Sequence, residues 1–220
     1  MARWSIPTRH GLNGFNVIYK TTIGDKEQDI ISAIDAAKDK TPLMKEILNE
    51  NIWDEGDKNL EIIVGEKLRS LGQTIGTAES CTGGSIAALL TSVAGSSDYF
   101  AGSIVAYANS VKQNILGVSA SDLSQYGAVS QQVVEQMATG ALRVLGCDWA
   151  IATSGIAGPG GGTPEKPVGT IWIAVANKNK VVSKNYHFNT IREQNIQRTV
   201  NMALTLLVSL IPNIPRNESL

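Results

Sequence analysis

The chain predicts an α/β fold, a three-layer α/β/α arrangement around a mixed sheet, preceded by a short strand-helix N-terminal segment. Three observations carry this expectation. From Leu60 onward, short apolar runs alternate with stretches whose apolar residues recur at helical spacing, the pattern of a sheet covered by helices on both faces. Trp172, Ile173 and Val175, then Val181, Ser183, Asn185 and His187, flank Asn177-Lys178-Asn179 like the arms of a hairpin, so part of the sheet is antiparallel. The 220 residues, 43% of them hydrophobic, are enough to bury one sizeable core.

The elements follow in order. Phe15 to Lys20 reads as a short strand and Lys26 to Lys40 as a helix with Ile30, Ile31, Ile34 and Ala37 on one face. One strand and one helix are too little for a core of their own. Pro42 to Asp57 is a polar connector around Trp53, which divides the chain into a partial N-terminal segment, residues 1–55, and a main domain, residues 56–220. Leu60, Ile63, Val64 and Leu68 mark a helix reaching about Ser70, and small and β-branched residues mark a strand over 73–78. A helix over 84–93, a strand over 102–107 and a short helix near 109–116 come next. Val133, Val134, Met137, Ala141, Leu142 and Leu145 place a helix over 131–145, followed by strands over 149–153, 169–176 and 180–188 and a helix over 192–211.

Composition excludes several function classes. A net charge of −1 offers no electrostatic footprint for nucleic acid or an anionic membrane. The start, Met1-Ala2-Arg3-Trp4-Ser5-Ile6-Pro7, lacks the apolar region of a signal peptide, and no run approaches the roughly 18 apolar residues of a membrane span. The two cysteines, Cys81 and Cys147, match no metal-ligand spacing and are too few for a disulfide framework, so a reducing cytoplasm is the expected location.

The chemistry concentrates in two glycine-rich loops and one bend. Thr77-Ala78-Glu79-Ser80-Cys81-Thr82-Gly83-Gly84-Ser85 puts Ser80 where strand becomes helix, with Gly83 and Gly84 letting backbone amides approach a ligand. Ser80 there is either a nucleophile beside free amides and a positive helix end, or an ordinary N-cap. Its neighbour Cys81 reads either as a small buried apolar residue or as a reactive thiol. The second loop, Ser154 to Pro164, is neither a Walker A nor a dinucleotide fingerprint; it either bares amides to a phosphate or is a flexible surface loop. Lys166, Arg192 and Arg198 offer cations for that phosphate or are solvated surface charges. The only histidines, His10 and His187, are poorly placed for a Ser-His-Asp triad. Tyr107 and Lys112 span a strand-to-helix bend, where Lys112 is either a desolvated base for Ser80 or a helix-surface lysine.

Taken together, Thr77 to Gly84, Ala94-Gly95-Ser96-Ser97, Tyr107 to Lys112, Tyr126-Gly127-Ala128-Val129-Ser130, Ser154 to Gly162 and Glu165-Lys166-Pro167-Val168-Gly169-Thr170 resemble the CinA C-terminal domain family, in family order from residue 58 to about 210. The resemblance implies an amidohydrolase of pyridine nucleotide salvage that converts nicotinamide mononucleotide and water to nicotinate mononucleotide and ammonia. By position it implies Ser80 as nucleophile, Lys112 as its base and Tyr107 as a hydrogen-bonding partner. It also implies a substrate site containing Thr82, Gly83, Gly84, Ser154, Gly155, Gly158, Gly161 and Arg192. No metal or cofactor is implied, and the partners are a small-molecule nucleotide and further copies of the chain, with neither nucleic acid nor membrane. Residues 13 to 40 resemble a fragment of the amino-terminal domain of full-length CinA proteins, related to molybdopterin-binding domains. Its Gly-Gly-Leu-Gly-Pro-Thr block is missing, so the pyrophosphatase activity associated with that domain is expected to be absent. Two other readings are a non-catalytic nucleotide-binding or sensory module, which would not need Lys112 near Ser80, and a DNA-associated factor, which the acidic balance opposes.

Overall fold

The computed structural model describes residues 59–188 and 191–212. The expected strand Phe15 to Lys20, the helix Lys26 to Lys40 and the boundary after residue 55 lie outside them. The described elements run α1 Leu60–Leu71, β1 Ile75–Glu79, α2 Ser85–Thr91, β2 Phe100–Val105, α3 Asn109–Asn114, α4 Ala120–Tyr126, α5 Gln131–Leu145, β3 Trp149–Gly155, β4 Thr170–Asn177, β5 Val181–His187 and α6 Arg192–Leu210. No helix among them is long and apolar enough to cross a membrane.

The five strands form one mixed sheet in the order β2-β1-β3-β4-β5. β1 pairs in parallel with β2 and β3, whereas β3, β4 and β5 are joined antiparallel. The chain therefore leaves β1 for β2 on one side and returns as β3 on the other. The carboxyl end of β1 is the topological switch point of the parallel part, where open α/β sheets hold their ligands.

Side-chain size decides how the layers close. Along one face of the sheet the register sets Gly76 beside Ala150, Ala78 beside Ala152, and these beside Ala176 and Ala174. This face of small residues lets α5 settle against it through Val133, Val134, Met137, Ala138 and Ala141. The alternate positions, with Ile151, Ile171, Ile173 and Val175 buried, lie on the face covered by α2 and α6, against which α1 packs in turn. The third layer expected from the sequence is thus present, with helices on both faces.

Closeness has a cost at Gly140 of α5, where an added Cβ would overlap the backbone carbonyl of Leu116. A backbone atom cannot swing aside as a side-chain end can. Gly140→Ala is expected to destabilise the fold by about 1–3 kcal/mol, although alanine is the better helix former by about 1 kcal/mol. An unchanged melting temperature would show that Leu116 yields.

The structure differs locally from the sequence reading at three places. Helix α4 was not expected, because Leu123 is its only buried residue and one apolar position sets no period. Its start is nevertheless signalled by Ser119, whose side chain accepts a hydrogen bond from the Asp122 amide at 3.3 Å. A 3-10 turn at Ser96–Asp98 was likewise not expected. β2 runs over Phe100–Val105 rather than 102–107, which leaves Tyr107 in the bend beyond the sheet.

Candidate active site

Ser80 follows the last residue of β1, and its amide donates to the Thr153 carbonyl at 3.0 Å, continuing the β1–β3 pairing by one step. The chain then reverses: the Gly83 amide donates to the Ser80 carbonyl at 3.1 Å, and Gly83 and Gly84 adopt φ values of 62° and 100°. Side chains rarely tolerate that backbone, so this turn calls for both glycines.

The amides at the start of α2 are not free, contrary to the expectation for this loop. The wholly buried carboxylate of Glu79 accepts from Gly84 at 3.0 Å, Ile86 at 3.1 Å and Ala87 at 2.8 Å. With Gly83 turned onto Ser80, the amides of Cys81 and Thr82 are the ones in this turn that donate to no oxygen of the described residues. The Thr82 hydroxyl is also engaged, 2.8 Å from that of Thr153 across the neighbouring strand.

Lys112 reaches Ser80 from α3. Its Nζ lies 3.2 Å from Ser80 Oγ and donates to the carbonyls of Ala106 at 2.7 Å and Tyr107 at 3.2 Å. The residue is 1% exposed, so it is no helix-surface lysine. Desolvation by burial lowers its pKa from the ordinary lysine value, because the charged form loses more than the neutral form when water is removed. The neighbouring Cys81 thiol is pushed up to about 12 by its own burial, which makes it a poor nucleophile and favours the small-apolar reading of that residue.

The opposite wall comes from the β3 end and α6. Ser154 Oγ donates to the Ala128 carbonyl at 2.7 Å, binding the end of β3 to the turn before α5. At Gly155 a Cβ would run into Ile171 and come within 3.0 Å of the Thr170 carbonyl and 3.2 Å of Cys81 Sγ, so only glycine fits. Arg192, the first residue of α6, donates to the Gly158 carbonyl at 2.9 Å and to the Tyr107 hydroxyl at 3.3 Å. The Tyr107 side chain thus meets Arg192, and its main-chain carbonyl meets Lys112.

An open cleft of about 190 Å³ brings Ser80, Lys112, Tyr107, Ser154, Gly155 and Arg192 together. Thr82, Gly83, Gly84, Gly158 and Gly161 do not line it: the first three build the turn, Gly158 holds Arg192, and Gly161 sits in the exposed loop beyond. Asn109, Ala128 and Val129 line the cleft without having been singled out, although each lies in a sequence block that was. Lys166 turns its ammonium to the Tyr126 carbonyl at 2.6 Å and lies outside the cleft lining, as does Arg198. Glu79 is the residue sequence reasoning missed; its signal was a carboxylate one position before the serine and within a few residues of a helix start.

Comparison with known proteins matches residues 57–211 to the family model of the CinA C-terminal domain. A CinA-like protein of Rippkaea orientalis is 45% identical over 176 residues, 80% of this chain and 42% of that protein. One of Cytophaga hutchinsonii is 52% identical over 148 residues, 67% of this chain and 35% of the relative. The chain thus spans about two fifths of the length of the curated relatives it matches. Among solved structures, the competence/damage inducible protein CihA of Agrobacterium tumefaciens is similar with a TM-score of 0.68 and 41% identity, over 69% of this chain and 93% of that one. The competence damage-inducible protein A of Klebsiella pneumoniae follows at 0.67 and 36%, over 69% and 94%.

Proposed function

Because the chain belongs to the CinA C-terminal domain family through residues 57–211, we propose that it is an amidohydrolase converting nicotinamide mononucleotide and water to nicotinate mononucleotide and ammonia, in cytoplasmic pyridine nucleotide salvage. The observation that carries this reading is the contact of 3.2 Å between Lys112 Nζ and Ser80 Oγ, made by a lysine that is almost fully buried. A nucleophile and its base in hydrogen-bond reach, at the switch point of the sheet, form the minimal unit for acyl transfer.

The reaction follows from that pair. Ser80 Oγ attacks the carboxamide carbon while neutral Lys112 takes its proton, giving a tetrahedral oxyanion. The amides of Cys81 and Thr82 receive the negative charge, each such donor contributing about 3 kcal/mol in comparable sites. Lys112 returns the proton to the departing nitrogen, the C–N bond breaks, and an ester joins the acyl group to Ser80. Water, deprotonated by the same amine, attacks the ester carbon; the C–O bond to Ser80 breaks, Lys112 returns the proton to Ser80 Oγ, and the carboxylate product leaves.

The positive pyridinium ring makes the carboxamide carbon more electrophilic, and Arg192 at the cleft wall offers a guanidinium to the 5′-phosphate. Binding energy from the phosphate then orients the carboxamide, so nicotinamide alone is expected to turn over far more slowly than its mononucleotide. The test is ammonia release on incubation with each compound. Tight binding of the mononucleotide without ammonia would replace this reading with a non-catalytic nucleotide-binding module. The expected homo-oligomer belongs to the same proposal and is checked by light scattering.

A further inference from the structure

Glu79 is a buried carboxylate that the reaction above does not use. Beyond the amides of Gly84, Ile86 and Ala87, its Oε1 accepts from Thr77 Oγ1 at 3.1 Å, and that hydroxyl lies 2.7 Å from Ser103 Oγ on β2. Four hydrogen bonds compensate a charge that would otherwise be costly to bury. The α2 N-cap is Gly84, which has no side chain with which to cap, so the strand supplies the cap from five residues away. The far end of the Ser80–Gly84 turn is therefore tied to the side chain of the residue that precedes the turn. Its first residue, Ser80, is covalently next to that side chain.

We propose that Glu79 is a positioning residue for Ser80: by capping α2 from the end of β1 it fixes the turn that holds the Ser80 hydroxyl against Lys112. The same capping occupies the start of α2, so that the Cys81 and Thr82 amides are the donors left for an oxyanion. This inference rests on the reading of Ser80 as nucleophile.

Glu79→Gln keeps the shape but turns one acceptor oxygen into a donor, which then faces amide N–H groups. It is expected to lower kcat for the mononucleotide about 10- to 100-fold, as small misplacements of a reacting group do, with KM little changed. The loss is the same at every pH, because Lys112 is untouched. Thr77→Val removes one of the four hydrogen bonds while sparing the carboxylate and the amides. A smaller drop is expected there, and that variant carries the test if Glu79→Gln does not fold.

A second readout is the rate at which a fluorophosphonate labels Ser80, followed by mass spectrometry, which is expected to fall in step with kcat. If the parent labels at Ser80 but releases no ammonia from nicotinamide mononucleotide, the substrate assignment fails while the labelling rates still decide the role of Glu79. Variants that melt earlier but keep the parent's kcat and labelling rate would show that Glu79 only holds the fold, and would overturn the proposal.

Discussion

Replacing Ser80 with alanine is expected to lower kcat roughly 10⁴- to 10⁶-fold, the range found when the nucleophile is removed from a hydrolase whose binding site remains. The fold should survive, because Ser80 is held by its backbone: its amide bonds Thr153 and its carbonyl receives Gly83. Mononucleotide binding should survive too, since Arg192 and the β3 end are untouched. Ser80→Cys is expected to retain partial activity, as a thiol can still attack. The measurement is ammonia release beside a thermal melt. Near-parent activity in the alanine variant would sink the nucleophile assignment.

Lys112 carries the second large effect. Lys112→Met fills nearly the same space without a base, and Lys112→Arg keeps a cation that stays protonated at working pH. Both are expected to remove most of kcat. The parent's kcat should rise with pH and level off above an apparent pKa lower than the roughly 10.4 of a free lysine, since burial disfavours the charged amine. The same depression acts on stability. At low pH the folded protein must carry a buried charge, whereas between the folded and unfolded pKa values only the unfolded chain binds the proton. The resulting penalty is full below the folded pKa and fades as pH rises toward about 10.4. Comparative melts should therefore shift in favour of the parent over Lys112→Met as pH rises through that window. A Lys112→Arg enzyme with near-parent kcat and an unchanged pH profile would assign the proton transfer elsewhere.

Much of this was legible in the chain, for reasons that differ from residue to residue. The strand-to-helix turn at Ser80 was readable because apolar runs change period on either side of it, and the β4–β5 hairpin because polar turn residues separate two alternating runs. The pairing of Ser80 with Lys112 was not fixed by periodicity. They are brought together across two strands; the place of Lys112 at a strand-to-helix bend made it a candidate, and the family resemblance decided between the base and the helix-surface reading. Thr82 shows the converse: a polar side chain in a glycine-rich loop reads as a ligand contact, yet the fold commits its hydroxyl to Thr153 and leaves only its amide without a partner oxygen among the described residues. Glu79 escaped because its function lies in amides five to eight residues further on, which it reaches only once the glycines have turned the chain. Helix α4 escaped because it lies on the surface with little to bury.

In the proposed reaction the carboxamide passes through an ester on Ser80. Hydroxylamine intercepts such an ester in competition with water, so the product should divide between nicotinate mononucleotide and its hydroxamate, with the hydroxamate share rising with hydroxylamine concentration. Ser80→Ala should form neither product. Steady ammonia release from the parent that yields only the carboxylate at every hydroxylamine concentration would contradict the account and point to direct attack by water.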